Sequence, residues 1–589
     1  MSFAKFRTGW LGRAGILLSL LVLLAACGGG NTNQGQQTTP TSTTKMVSFN
    51  LGIPQTALQS PVVGQLSNST KMHVVVTFKV NSALLKQLGA QQKNQAGQGT
   101  DAASLANQLG ITDQQYQQLK EYFGIQNISL NLSKLHTSVS MDAQASAFAS
   151  LLKTSFVYHQ YQGRKFFAPA TPVMLPQSIA TYIEAISGLD NYSVPPKPQA
   201  SSFQPVNAQL NKAGCVANEN VIFPQDVQHA YGFTQLYKHG WTGQGMTIIL
   251  PEFNSFDQTS VQHYMSCVGF HGKISTVTVD DTPPTTNDIE PLIDLEMVGS
   301  LLPDANIVVY QTDAGPQYEN FWSSMLDTLN QISADYSNNK QPVMVSISWG
   351  GAEDYVSQDT LNAIDTVTQT LIDAEHISVF ASSGDCGAYT SRNYPNQLDV
   401  NFPASDPSIL AVGGTVLSVN SLGRSKEVVW SGNPQNPSDC ENQWGSGGGI
   451  SGSFAQPDWQ QGVQGIRNQY SNGNREVPDV SAVATNLAGY FDGEWGYLYG
   501  TSAASPIWAC AFALANEALI SQTHYYVNGP AIFYWMARNE AKQHPFYDVQ
   551  QGNNLYYQAT PGYDMTSGLG TPNLVGLDNA LQAFIHSQN

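Results

Sequence analysis

The stretch Gly500-Thr501-Ser502-Ala503-Ala504-Ser505-Pro506 decides how the rest of the chain is read. It follows the aromatic run Trp495-Gly496-Tyr497-Leu498-Tyr499 and opens an apolar, small-residue segment, 507–519, that reads as a buried helix. A serine between a tight glycine turn and a helix N-terminus presents its hydroxyl over a partly positive dipole end. That placement suits a nucleophile, which carries negative charge during acyl transfer. The plainer reading is an N-cap serine.

Moving outward, apolar runs at 246–250, 305–310, 342–348, 377–381 and 409–413 alternate with helical stretches. Such a pattern predicts a parallel sheet covered on both faces. In these sheets chemistry gathers at the carboxyl ends of the strands, where Trp349 and Asp385 fall.

A serine nucleophile needs a base. None of the eleven histidines stands in a motif. The segment Asp288-Ile289-Glu290-Pro291-Leu292-Ile293-Asp294 begins a helix, with Pro291 in its first turn. Glu290 and Asp294 are four apart, hence on one face, and two such carboxyls repel, so one keeps its proton. The plain reading is a solvated acidic face; against it, 298–302 is apolar except for Ser300. In acid a histidine is protonated and cannot take a serine proton, whereas a glutamate sharing a proton with a second carboxyl still can. A protonated aspartic acid can also donate to an oxyanion. Asp385, in Ser382-Ser383-Gly384-Asp385, is the candidate, with an Asx-turn residue as the plain alternative.

Taken in order, Glu290-x3-Asp294, Ser382-Ser383-Gly384-Asp385 and the Ser502 heptapeptide resemble the sedolisin family, the serine-carboxyl peptidases. The resemblance implies a subtilisin-like, doubly wound α/β domain over 217–589. Ser502 would be the nucleophile, Glu290 the general acid/base, Asp294 its orienting partner and Asp385 the oxyanion donor. Kumamolisin-like members add a glutamate and a tryptophan to the proton network; Glu252 and Trp349 match those positions. Exposed backbone around Ser348 and Gly350, and at Gly447 and Gly448, would pair with substrate. The family also places one Ca2+ near the C-terminus. By that likeness Asp548 and Asp564 would be side-chain ligands, and Val549, Thr560 and Gly562 carbonyl ligands. Thr560 stands where the family commonly has glycine.

Residues 1–27 read as an export signal: Lys5, Arg7 and Arg13, then an apolar core ending Leu24-Ala25-Ala26-Cys27. This resembles a lipobox with Cys27 as the lipidated residue; a plain secretory signal is the alternative. Residues 28–46 are a polar tether. The part 47–190 predicts a smaller α+β, ferredoxin-like unit, with a strand at 72–80, a polar loop at 91–99, a helix capped by Thr112, a helix at 143–152 and paired strands at 155–162 and 164–168. Its Thr112-Asp113-Gln114-Gln115-Tyr116, Ala147-Phe148 and Pro172-Val173-Met174-Leu175-Pro176 resemble the activation domain of pro-kumamolisin-type zymogens. Residues 191–216 read as a linker and processing region.

Composition sets the outer bounds. A net charge of -18 and a pI near 4.9 exclude a nucleic-acid partner. With 12% charged residues, few ion pairs are lost when carboxylates protonate, which suits work in acid. Beyond Cys27, Cys215–Cys267 and Cys386–Cys440 are the guessed disulfides, connectivity not being fixed by spacing, and Cys510 is a buried thiol. The expectation is an exported, lipid-anchored, monomeric zymogen of an acid endopeptidase, acting on proteins or peptides and held by its own prodomain. The first alternative is a catalytically silent, peptide-binding surface lipoprotein on the same scaffold. The second is a histidine-dependent hydrolase working near neutral pH.

Overall fold

The computed structural model describes residues 45–90, 93–98, 102–193, 203–205, 215, 221–315, 318–389, 397–420, 423–432, 440 and 444–588. The export signal, Cys27 and nearly all of the tether lie outside these residues, as does most of the linker.

The C-terminal part is built on an eight-stranded sheet. Its order is Lys273–Thr278, Asn306–Gln311, Thr247–Glu252, Val343–Ile347, Ser378–Ser382, Leu410–Asn420, Gly423–Val429, with Val480–Val483 also paired to Leu410–Asn420. All pairs are parallel except the closing hairpin between Leu410–Asn420 and Gly423–Val429. Alternate side chains serve opposite faces. Ile248 and Leu250 join the core of helices Glu290–Leu301 and Thr501–Thr523, whereas Ile249, Val345 and Ile347 join that of Phe321–Tyr336 and Gln358–Asp373. The expected strands are therefore present, the last continuing to Asn420. Lys273–Thr278 was not expected: it is a half-exposed edge strand rich in Ser, Thr and Lys, and carries no apolar run.

Chain order reverses direction between Thr247–Glu252 and Val343–Ile347. Their carboxyl ends deliver Glu252 on one side and Ser348 and Trp349 on the other. This crevice is the topological switch point, where α/β sheets bind ligands.

The N-terminal part carries an antiparallel sheet of Ile183–Ser187, Lys71–Phe78, Ser138–Gln144 and Leu130–Leu132, in that order. With helices Asp113–Phe123 and Ala145–Leu152 this is the ferredoxin-like arrangement. Thr112 closes a capping box with Gln115, as expected. Val74, Val76 and Phe78 pack on this part's own helices, but Val75 and Ala185 enter the core of helices Phe321–Tyr336 and Gln358–Asp373. The small sheet is thus packed on both faces, one of them by the C-terminal part.

Three expectations need correction. The polar loop at 91–99 contains a strand, Lys93–Gln95, which pairs with Tyr525–Val527 of the C-terminal part; backbone pairing needs no apolar signal. The helix expected from 143 starts at Ala145, because Ala143 and Gln144 finish a strand. The linker is not wholly loose, since Phe203–Pro205 adds a third strand to the hairpin Leu487–Phe491 and Glu494–Leu498. Both guessed disulfides form, and Cys510 is buried and free.

Candidate active site

Ser502 is the second residue of the helix Thr501–Thr523, and its N-cap is Gly500, which supplies no side-chain cap. The N-cap reading of the serine therefore falls. Gly500 has φ 133°, and a Cβ there would sit 3.1 Å from Asp385 Oδ2. Only glycine fits both conditions. Ser502 is 8% exposed, so the expected open hydroxyl lies in a closed site.

The helix Glu290–Leu301 packs along Thr501–Thr523, and every one of its residues is buried. The solvated acidic face is thereby overturned. Glu290 lies close enough to Ser502 for that side chain to hold its carboxyl down against burial. Asp294 Oδ1 accepts the Ser348 hydroxyl at 2.7 Å, and that hydroxyl also lies 3.2 Å from the Ser502 carbonyl oxygen. Trp349 Nε1 donates to Glu252 Oε2 at 2.9 Å. Glu252 and Asp294 face each other within hydrogen-bonding reach, their Oε1 and Oδ2 atoms making no other hydrogen bond. A line thus runs Ser502, Glu290, Asp294, Glu252, Trp349.

Burial sets the electrostatics. It pushes Glu252 and Glu290 well above the usual carboxyl range, and the charge of Asp294 adds to this. Asp294 is raised by burial to about 8, against the hydrogen bonds from Ser348 and Glu252. Three carboxyls near enough to feel one another's charge, with no Lys, Arg or His among these partners, hold protons that isolated ones would lose.

Asp385 lies at the start of the Ser502 helix. Its Oδ1 accepts both the backbone N–H and the hydroxyl of Thr501, each at 2.7 Å. The Thr501 oxygen accepts the Gly384 N–H at 3.1 Å. Thr501 was not singled out from the sequence, although it adjoins Ser502: a hydroxyl at a first helical position carries no special signal.

Gly447 and Gly448 do not offer exposed backbone. Both are buried; the Gly447 carbonyl accepts Ser383 Oγ at 2.8 Å and the Gly448 carbonyl accepts Asn554 Nδ2 at 3.2 Å. A Cβ on Gly447 would fall 1.8 Å from the Ser383 carbonyl oxygen, so this glycine allows close packing beside Asp385. Ser348 and Gly350 are half-buried; Ser348 lies beside Ser502, and its side chain is spent on Asp294.

The five residues expected to hold a cation come together where 548–549 meets the turn 560–564. Asp548 Oδ2 accepts the Gly562 N–H at 3.0 Å and Asp564 Oδ2 accepts the Thr560 N–H at 2.8 Å. The Val549 carbonyl lies 3.3 Å from Ser567 Oγ, whose hydroxyl also reaches Asp564. Burial raises Asp564 above the ordinary range. Thr560 is not among the residues with positive φ, so threonine fits there without backbone strain. A buried carboxylate, a second carboxylate and turn carbonyls match the oxygen donors a divalent cation takes.

Comparison with known proteins agrees with this architecture. Residues 37–192 match the model of the pro-kumamolisin activation domain, and 279–532 that of the subtilase family. Kumamolisin of Bacillus sp. (strain MN-32) is 33% identical over 441 residues, 70% of this chain and 73% of its own length. Sedolisin of Pseudomonas sp. (strain 101) is 28% identical over 556 residues, 89% of this chain and 88% of its own. The solved structure of Pseudomonas sedolisin, a serine-carboxyl proteinase complexed with two molecules of pseudo-iodotyrostatin, superposes with TM-score 0.52 at 25% identity, over 63% of this chain and 99% of that one. The fold and these matches define a subtilisin-like hydrolase preceded by an activation prodomain. More narrowly, the chain belongs to the sedolisin family and is a serine-carboxyl peptidase made as a zymogen.

Proposed function

We propose that this chain is an exported, lipid-anchored endopeptidase that works in acid and cuts proteins through an acyl-enzyme on Ser502. The observation that carries the reading is a buried glutamate, rather than a histidine, set against Ser502. Glu290 takes the Ser502 proton as Oγ bonds to the substrate carbonyl carbon. The oxygen of that carbonyl gains the negative charge and meets the Asp385 carboxyl. With Asp385 Oδ1 engaged by Thr501, the donated proton is assigned to Oδ2. Glu290 then passes its proton to the leaving amine, and water repeats the sequence on the ester. Asp294, Glu252 and Trp349 position Glu290 and share its proton. Ser348 and Gly350 flank the nucleophile, where substrate backbone would lie; Gly447 and Gly448 support that wall from within.

Asp548, Asp564 and the carbonyls of Val549, Thr560 and Gly562 would hold one Ca2+, which would brace the C-terminal segment and take no part in the reaction. Export and lipidation at Cys27 rest on the sequence of residues 1–27. The prodomain, from about 47 to 190, is the inhibitor, and the cut falls in 191–216. Ser502→Ala tests the reading: held in acid, it should stay full length while the unmodified chain matures. Self-cleavage by the variant would mean a different nucleophile.

A further inference from the structure

The two domains meet around one imidazole. In the prodomain strand Lys71–Phe78, His73 and Val75 point the same way, towards the peptidase domain, while Val74 and Val76 face the prodomain core. His73 Nδ1 lies 2.8 Å from Asp142 Oδ1, on the paired prodomain strand. His73 Nε2 lies 2.7 Å from Asp327 Oδ2, on the peptidase helix Phe321–Tyr336. Asp280, on the peptidase side, offers a third carboxylate, with one oxygen within 4.8 Å of a His73 ring nitrogen and of an Asp327 oxygen. Asp281 and Lys71 act on this cluster from either end. The ion pair between His73 and Asp327 joins the two domains.

We propose that His73 is the charge lock of the zymogen: a fixed imidazolium whose pairing with Asp327 ties the prodomain to the peptidase domain. The inference rests on the prodomain acting as the inhibitor. His73 does not itself switch in acid. Although burial opposes its charge, the two carboxylates hold it up at about 11, so it stays charged below neutrality. Its contribution to docking is complete below the ordinary histidine range and would fade only near that high value. The carboxylates follow the same rule. Burial raises Asp327 in spite of His73, and it pushes Asp359, which accepts the Ile186 N–H at 3.1 Å, to about 7, so a proton on either is held more tightly in the docked state. Asp142 is held low by its hydrogen bond with His73 inside the prodomain. The pair therefore acts as a tie between the domains, and removing its prodomain half leaves Asp327 buried without its cation, a strongly unfavourable state.

The test follows maturation of the full chain against pH, read as cleavage and as appearance of activity. His73→Gln should mature at higher pH than the unmodified chain, by about one unit, or about tenfold faster at a pH where the latter is still latent. The peptidase released from it lacks position 73 and should have normal kcat and KM, which shows that folding succeeded. Should His73→Gln fail to fold, Asp142→Asn serves instead: that side chain is 74% exposed, and a smaller shift in the same direction is expected. An unchanged onset in the variant that folds, or a shift to lower pH, overturns the proposal. So does a shift in onset on adding EDTA to the unmodified chain, since a metal would then hold the cluster. If the unmodified chain matures at no pH, the zymogen reading fails instead.

Discussion

The molecule gathers acidic side chains in two clusters that behave differently. At Ser502, the carboxyls of Glu252, Glu290 and Asp294 meet with no cationic partner, and burial drives all three upward. At the domain interface, Asp142 and Asp327 close on His73, and Asp142 is held low. The difference teaches that burial and partner act together. Without a cation and out of water the protons stay and can be handed along; beside His73 the exposed Asp142 gives its proton up, whereas the buried Asp327 is lowered by the same imidazolium but still raised overall by burial.

The largest expected effect breaks the first cluster. Glu290→Gln should lower kcat by about a hundred- to ten-thousandfold, the range general acid–base groups contribute, in a chain whose zymogen still docks its prodomain. A loss of less than tenfold would place the base elsewhere.

Asp327→Asn should do the reverse. Maturation should begin about one pH unit higher, as expected when a buried pair loses one partner, with kcat of the matured enzyme unchanged. A lower kcat would show that the clusters are coupled and the contrast is false.

A third measurement sharpens the first cluster through stability. Asp294 is raised to about 8, so the folded chain binds more protons than the unfolded one between the ordinary carboxyl range and that value. The associated stability is complete in acid and is lost as pH rises through about 8. Glu375, raised by burial to about 8, adds to this. The Tm of the Ser502→Ala chain should fall from pH 4 to pH 8; a flat or rising Tm would show that these groups are ionised as usual.

The smallest effect is away from both clusters. Asp548→Ala, or a chelator on the unmodified chain, should lower Tm by about 2–4 °C, equivalent to about 1 kcal/mol in a chain of this size, with the pH of maturation unmoved. A chelator that leaves Tm untouched would argue against a bound cation.

Much of the first cluster is legible in the sequence because its parts are local. Glu290 and Asp294 share one helical turn, Gly500 and Ser502 one strand-to-helix turn, and Glu252 and Trp349 sit where apolar strands end. The second cluster gives no such signal. His73 and Asp327 lie 254 positions apart, and each alone looks like an ordinary polar residue in an amphipathic element. The strand Lys93–Gln95 is hidden for a related reason: it is ordered by the main chain of Tyr525–Val527, and its own side chains say only that it is polar.

That short strand bears on the timing of activation. It attaches the prodomain at a second place, with the Asn94 amide donating to Asn528 Oδ1 at 2.7 Å and the Gly97 N–H reaching the Lys340 carbonyl at 2.8 Å. Hydrolysis of one bond near residue 200 severs none of these links, so a nicked but silent pair outlives the scission. Dissociation from two sites at once is slow when each keeps the other at high effective concentration. The first product of maturation is then a two-chain complex, and the onset of peptidase activity lags the disappearance of the full-length band.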